Sequence, residues 1–223
     1  MTVVVLLGAP GAGKGTQAPI LAACLKAPIL ASGELLRSVV ASGSELGRQV
    51  QATMLSGELV DDDTIVRIFL DRLRGPDTPK GAILDGFPRT RGQAVALDEA
   101  LAEHGARVDC AILIHVPLDE LVTRMAGRLI CQASGHVYNL QSNPPQQSDR
   151  CDIDGSPLVH RADDGEVTVR ARMAQQMPPL EEVVEYYRSR GVLATIDGRL
   201  PIPEVTTQLL TAVDVPAASN QPR

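Results

Sequence analysis

The sequence has no tryptophan, two phenylalanines and three tyrosines. A core with so few rings must be filled by Val, Leu, Ile and Ala, which suits a sheet covered on both faces. Only four cysteines are present, Cys24, Cys110, Cys131 and Cys151; this excludes a disulfide scaffold in a chain of 223 residues and fits a reducing compartment. Cys24 and Cys110 fall in apolar helix and strand patterns and read as core. No apolar run approaches the roughly 18 residues of a membrane span, and residues 1–5 lack the charged leader and cleavage pattern of a secretory signal. The expectation is a soluble, cytoplasmic protein with no membrane partner. Positive charge is in deficit, with 21 Lys and Arg against 27 Asp and Glu and a formal net charge of -6. General nucleic-acid binding needs a dominant basic surface, so it is excluded, and any functional cations must act locally.

What is present is an alternation of strand and helix sequence. Residues 3–7 form a β-branched run closed by a glycine loop, and residues 16–25 have the apolar spacing and length of a helix. Residues 28–31, 83–84, 110–116 and 192–196 are further buried-strand candidates, each followed by helical sequence. This predicts an α/β fold, a parallel sheet flanked by helices. Two segments interrupt it. Residues 32–73 contain no strand candidate and read as several short helices, broken at Gly33, Gly43, Gly47 and Gly57, with residues 61–63 as the acidic start of the last. Residues 130–164 are rich in Gly, Pro, Asn, Gln and Ser and predict turns and short strands. The domain expectation is a core of 1–31, 74–129 and 165–215, with inserted lobes at 32–73 and 130–164. Residues 216–223 are polar and proline-containing and are expected to be disordered.

Chemistry concentrates in three places. In "GAPGAGKGT", residues 8–16, small residues let backbone N–H groups turn inward around a phosphate, a helix start adds its dipole and Lys14 adds a full charge. The P-loop template has Ser or Thr directly after the lysine; here Gly15 intervenes and the hydroxyl arrives at Thr16. In "LDGFPRT", residues 84–90, Asp85 can face a magnesium-bound water, Gly86 permits close approach of a ligand and Arg89 can chelate phosphate bidentately. Arginines are also scattered through this acidic chain: Arg37, Arg124, Arg128, Arg161 and Arg172. Arg124 reads equally well as a helix-surface charge. Arg161 and Arg172 flank the acidic residues 162–166, a position suited to a hinge. Phosphoryl transfer requires positive charge spread around the moving group, and several arginines supply it.

Together these residues resemble the adenylate kinase family in its long bacterial form. The marks are "GAPGAGKGTQ" at 8–17, "SGELLR" at 32–37, "DGFPRT" at 85–90, "GR" at 127–128, "VY" at 137–138, "NPP" at 143–145 and "RADD" at 161–164. The resemblance implies a P-loop NTPase-type sheet, with residues 32–73 as the AMP lobe and 130–164 as a lid, and the reversible reaction of ATP with AMP to give two ADP. It also explains Gly15, because in this family magnesium is held chiefly by nucleotide phosphates and water. Carried over by position, Gly11, Ala12, Gly13, Lys14, Gly15, Thr16, Arg128, Val137, Tyr138 and the backbone near Leu200 would bind ATP. Ser32, Arg37, Glu58, Leu59, Val60, Gly86, Phe87, Pro88, Arg89, Gln93, Arg161 and Arg172 would bind AMP. Lys14, Arg89, Arg128, Arg161 and Arg172 would neutralise charge on the transferring group. Gln93 can offer a donor and an acceptor to the adenine edge, and Ser32 stands where relatives commonly carry threonine.

Many long-form members hold the lid with zinc through Cys-x-x-Cys and a later Cys-x-x-Cys or Cys-x-x-Asp. The corresponding residues here are Cys131, Ser134, Cys151 and Asp154. Serine is a poor zinc ligand, so a polar cluster without metal is expected; zinc, with His136 or water as a substitute ligand, is the disfavoured alternative. The resemblance implies a monomer that acts with Mg²⁺ on ATP, AMP and ADP. Rival readings are a kinase for another nucleoside monophosphate, a nucleotide-dependent switch and a structural ATP binder. The switch lacks an Asn-Lys-x-Asp guanine-reading stretch.

Overall fold

Val3, Val5 and Leu7 alternate with Val4 and Leu6 along the first strand, and all five are buried. A strand with apolar side chains on both faces must be covered on both faces. The structure is a computed structural model of the chain and describes residues 2–56, 60–78, 81–141, 143–160 and 164–214. Glu58, Leu59, Arg161 and the tail 216–223 lie outside the described residues.

The main sheet contains β1 (Thr2–Leu7), β2 (Ile29–Ala31), β3 (Gly81–Asp85), β4 (Val108–His115) and β8 (Leu193–Asp197), parallel throughout and ordered β2-β3-β1-β4-β8. Val3, Val5, Leu7 and Leu84 point into one core with Phe69, Phe87, Leu97 and Tyr187. Val4, Leu6, Ile112 and Ile114 point into the other with Leu21, Val122, Met173 and Leu209. These partners come from helices α1 (Lys14–Leu25), α4 (Asp62–Leu73), α5 (Arg91–Glu103), α6 (Leu118–Ala126), α7 (Glu166–Ser189) and α8 (Ile202–Asp214), and from the loop after β3. The expected parallel sheet between helices is therefore present. Each strand extends its sequence-predicted segment by a few residues, or trims it by one, as usual for element ends.

The described residues of the segment 32–73 include α2 (Ser32–Ala41), α3 (Glu45–Ser56) and α4. Asp61 caps α4, its carboxylate accepting from the Thr64 N–H at 2.9 Å. After α6 the chain enters a second sheet, β6-β5-β7, antiparallel, from β5 (Arg128–Cys131), β6 (Val137–Asn139) and β7 (Leu158–His160). Its small core is Leu129, Cys131, Tyr138, Cys151 and Leu158. One expectation fails: Cys24 is exposed, whereas Cys110 is buried. The end of α1 is apolar all round, and the residues it buries, Gln17, Ala18 and Leu21, lie a turn earlier.

Among the described residues no helix is long and apolar enough to cross a membrane.

Candidate active site

Register brings the chemical motifs together. Leu6 of β1 lies opposite Asp85 of β3, and Ala31 of β2 lies opposite the same Asp85. The glycine loop, Ser32 and the loop from Asp85 to Arg89 therefore leave the sheet at one edge, beside the point where the chain crosses from β3 to β4 on the other side of β1. Ligands of open parallel sheets collect at such a switch point.

Gly13 caps α1 with φ of 105°, a left-handed conformation that other residues adopt at a cost. It turns the chain so that α1 begins at Lys14 with its first N–H groups facing the loop. The Lys14 ammonium folds back over the loop, donating to the carbonyls of Gly8 at 2.6 Å and Ala9 at 3.2 Å. Burial pushes its pKa down, opposed by the Asp85 carboxylate and reinforced by Arg89. Burial pushes the Asp85 carboxyl up, and Lys14 and Arg89 pull it back.

After Asp85, Gly86 has φ of +72°, and a Cβ there would lie 3.0 Å from Ser32 Oγ. Arg89 is held three ways. Its Nε donates to the Gly86 carbonyl at 2.8 Å, its Nη2 to Ser32 Oγ at 3.1 Å, and its backbone N–H to Gln93 Oε1 at 2.7 Å. Thr90 caps α5, its side chain accepting from the Gln93 N–H. The guanidinium thus stands at the strand end with a fixed orientation, as bidentate phosphate binding requires.

These groups surround a cleft of about 550 Å³, lined among others by Lys14, Ser32, Asp85, Gly86, Pro88 and Arg89, and on its α7 side by Arg172. Among the described residues lining the cleft, Lys14, Arg89 and Arg172 stand around Asp85 at a phosphate loop, an arrangement that suits two phosphate-bearing ligands placed end to end. Comparison with known proteins agrees. A family model described as "Adenylate kinase" matches residues 6–192. The chain belongs to the adenylate kinase family. Proteins named adenylate kinase that resemble it include one from Streptomyces griseus, 42% identical over 211 residues, covering 94% of this chain and 96% of the relative. Another, from Methanocella arvoryzae, is 43% identical over 209 residues, with 94% and 97% covered. A third, from Moorella thermoacetica, is 44% identical over 202 residues, with 91% and 93% covered.

Of the residues the family resemblance points to, Lys14, Ser32, Gly86, Pro88, Arg89 and Arg172 line the cleft. Gly11, Ala12, Gly13, Gly15 and Thr16 make the loop and the first turn of α1 beside it. Gln93 is buried directly behind Arg89. Arg37 lies over Gly33, where an added Cβ would meet its Nη1 at 3.2 Å. The Phe87 side chain is buried and stacked on Phe69, centroids 4.0 Å apart, so only its backbone faces a ligand. Val60 and Leu200 pack against the two main cores.

Other expected residues lie off the cleft. Arg128 pairs with Asp164, Nε to Oδ2 at 2.7 Å and Nη2 to Oδ1 at 2.5 Å. Asp164 is buried, and without Arg128 it would be left as an uncompensated buried charge. Arg124 makes an i,i+4 ion pair with Glu120, the surface-charge arrangement. In the small sheet Val137 is exposed and Tyr138 is buried, its hydroxyl accepting from the Asp152 N–H at 2.8 Å. Sequence reading missed Asp164 as the partner of Arg128. It also missed Gln175, Gln176 and Pro179, which line the cleft with Arg172; their helical spacing from Arg172 was the available signal.

The small sheet carries a second constellation. One ligand atom each from Cys131, His136, Cys151 and Asp154 lies within 4.8 Å of all the others. The hairpin between β5 and β6 places His136 opposite Cys131, whose N–H donates to the His136 carbonyl at 2.8 Å. His136 Nδ1 lies 3.3 Å from Cys151 Sγ, and Cys131 Sγ lies 3.4 Å from each Asp154 oxygen. Ser134 Oγ sits among them, 3.1 Å from Cys131 Sγ and 2.5 Å from Asp154 Oδ2. Hydrogen bonds from Ser134 and from the Ser156 N–H hold the Asp154 carboxyl well below its ordinary range.

Proposed function

We propose that the cleft carries out reversible phosphoryl transfer from MgATP to AMP, giving two ADP. The observation that carries this reading is the convergence of Lys14, Arg89 and Arg172 on one cleft at the phosphate loop. On this reading the glycine loop and Lys14 hold the phosphates of ATP, with Lys14 leaving the Gly8 and Ala9 carbonyls for them. Magnesium bound with ATP would supply charge neutralisation at the terminal phosphates, and Asp85, in the cleft beside Lys14 and Arg89, is the residue that would face its hydration shell. Arg89 grips the AMP phosphate in line with the transfer, while Arg172, on α7, neutralises charge that develops between the two nucleotides. Little covalent chemistry is asked of the protein.

Helices α2 to α4, with Ser32, Arg37, Val60, Gly86 to Arg89 and Gln93, then form the AMP side. The sheet β5 to β7 is a lid over ATP. Closing it brings Arg128, Val137 and Tyr138 toward the nucleotide and excludes water as a competing acceptor. The enzyme is a cytoplasmic monomer serving adenine nucleotide balance, with no nucleic-acid or membrane partner.

In the lid, Ser134 made zinc the weaker reading of the sequence. His136 supplies the missing fourth donor. A tetrahedral site with bonds of about 2.0–2.3 Å has ligand atoms roughly 3.3–3.8 Å apart; the Cys131–Asp154 and His136–Cys151 pairs, at 3.4 and 3.3 Å, have that spacing, and all four ligand atoms lie within 4.8 Å of one another. These four residues would hold a structural zinc, which would crosslink the lid, with Ser134, whose Oγ lies 2.7 Å from His136 Nδ1 and 2.5 Å from Asp154 Oδ2, turned aside from the ligand atoms.

Incubation with labelled ATP and AMP tests the transfer. The label of the terminal phosphate should appear in ADP built from AMP; label released only as inorganic phosphate contradicts the reading.

A further inference from the structure

Asp62 opens α4, yet its carboxylate is turned toward the loop after β3. Oδ1 accepts from Gln93 Nε2 at 2.7 Å, and Oδ2 accepts from Thr90 Oγ1 at 2.9 Å. The cap of α4 is already provided by Asp61, so helix capping does not explain this residue. It lies flush against the first turn of α5, where a Cβ on Gly92 would meet its Oδ2 at 3.0 Å.

Gln93 is thereby held at both ends. Its nitrogen faces an acceptor-only carboxylate, and its oxygen faces the Arg89 N–H, a donor only, at 2.7 Å. Reversing the amide would set oxygen against oxygen and N–H against N–H, so the network fixes the order of donor and acceptor. That order matters for a purine. Adenine presents an amino donor beside a ring-nitrogen acceptor, whereas hypoxanthine and guanine present a carbonyl acceptor beside a ring N–H donor. One amide orientation suits the first edge and the reversed orientation the second.

We infer that Asp62 is a positioning residue that fixes the amide order of Gln93 and so selects an adenine acceptor over a 6-oxopurine acceptor. The inference rests on the reading of this chain as an AMP-accepting kinase with Gln93 at the base. Freed from Asp62, Gln93 can turn its amide to match either edge, and discrimination falls without loss of the phosphate machinery.

The test compares kcat/KM for AMP and for inosine monophosphate in the wild type, Asp62→Ala, Gln93→Ala and the double variant. Asp62→Ala should lower the AMP preference about tenfold or more, the scale of a lost charge-assisted hydrogen bond, through KM for the monophosphates, with KM for ATP unchanged. Because Asp62 acts through Gln93, the double variant should discriminate no worse than Gln93→Ala alone. Should Asp62→Ala melt below the assay temperature, Asp62→Leu, which fills the space but offers Gln93 no acceptor, is read by the same ratio. An unchanged preference, or losses that multiply in the double variant, overturns the inference. No transfer to AMP by the wild type overturns the underlying reading instead.

Discussion

Arg89 and Ser32, 57 residues apart in the chain, meet at the cleft, with the guanidinium donating to the serine hydroxyl at 3.1 Å. That contact, with the bond from Nε to Gly86, aims a planar fork at the place where a monophosphate must sit. Lysine cannot reproduce it, because its ammonium is a single point charge. Arg89→Lys and Arg89→Ala should each lower kcat for ADP formation by about 10²–10³-fold, with melting temperature little changed. Near-normal turnover in a folded Arg89→Ala protein would remove the residue from the proposed machinery.

Gly86 sets the same contact from the backbone. Its φ of +72° is strained for alanine, and the added Cβ would press on Ser32 Oγ at 3.0 Å. Gly86→Ala should lose about 1–2 kcal/mol of stability, visible as a lower melting temperature, and at least about tenfold in kcat/KM for AMP as the Ser32–Arg89 contact opens. Unaltered melting and AMP kinetics would show that the loop yields without disturbing the site.

Asp85 gives a pH signature. Its carboxyl is raised in the folded protein, first by burial and against the pull of Lys14 and Arg89. The folded state therefore binds this proton more tightly than the unfolded state does. Between the unfolded value of 3.8 and the raised folded value, stability from this group must fall as pH rises. Denaturant titrations of wild type and Asp85→Asn across that window should show wild type losing ground to the variant with rising pH, then running parallel above it. A difference that grows in favour of wild type as pH rises would reverse the assigned direction.

The phosphate site was legible because its chemistry is contiguous: residues 8–16 and 85–90 state strand, loop and cation in order, and parallel pairing of β1 with β3 does the rest. The lid donors were harder to read. Spacing pointed to Ser134, whereas hairpin pairing across β5 and β6 puts His136 beside Cys131. Asp62 was invisible because its partners, Thr90 and Gln93, lie 28 and 31 residues away, and an acidic residue at a helix start already has an ordinary explanation. The Arg128–Asp164 pair likewise depends on tertiary packing that local pattern does not encode.

The lid assignment separates Ser134 from His136, two positions along the chain, by their chemistry. Protein purified from cells grown with zinc should contain about one zinc per chain by elemental analysis. Ser134→Ala should keep the metal, and His136→Ala should lose it and melt at lower temperature. Zinc-free wild type, or loss of zinc in Ser134→Ala with retention in His136→Ala, would contradict the ligand set.

The most direct test of the central claim is the initial rate of ADP formation from ATP with AMP and magnesium, set against ATP and magnesium alone. The account predicts rapid, AMP-dependent production of two ADP for each ATP consumed, abolished when magnesium is removed. Slow loss of ATP at the same rate with and without AMP would mean that Lys14, Arg89 and Arg172 bind nucleotide but do not transfer its phosphate to AMP.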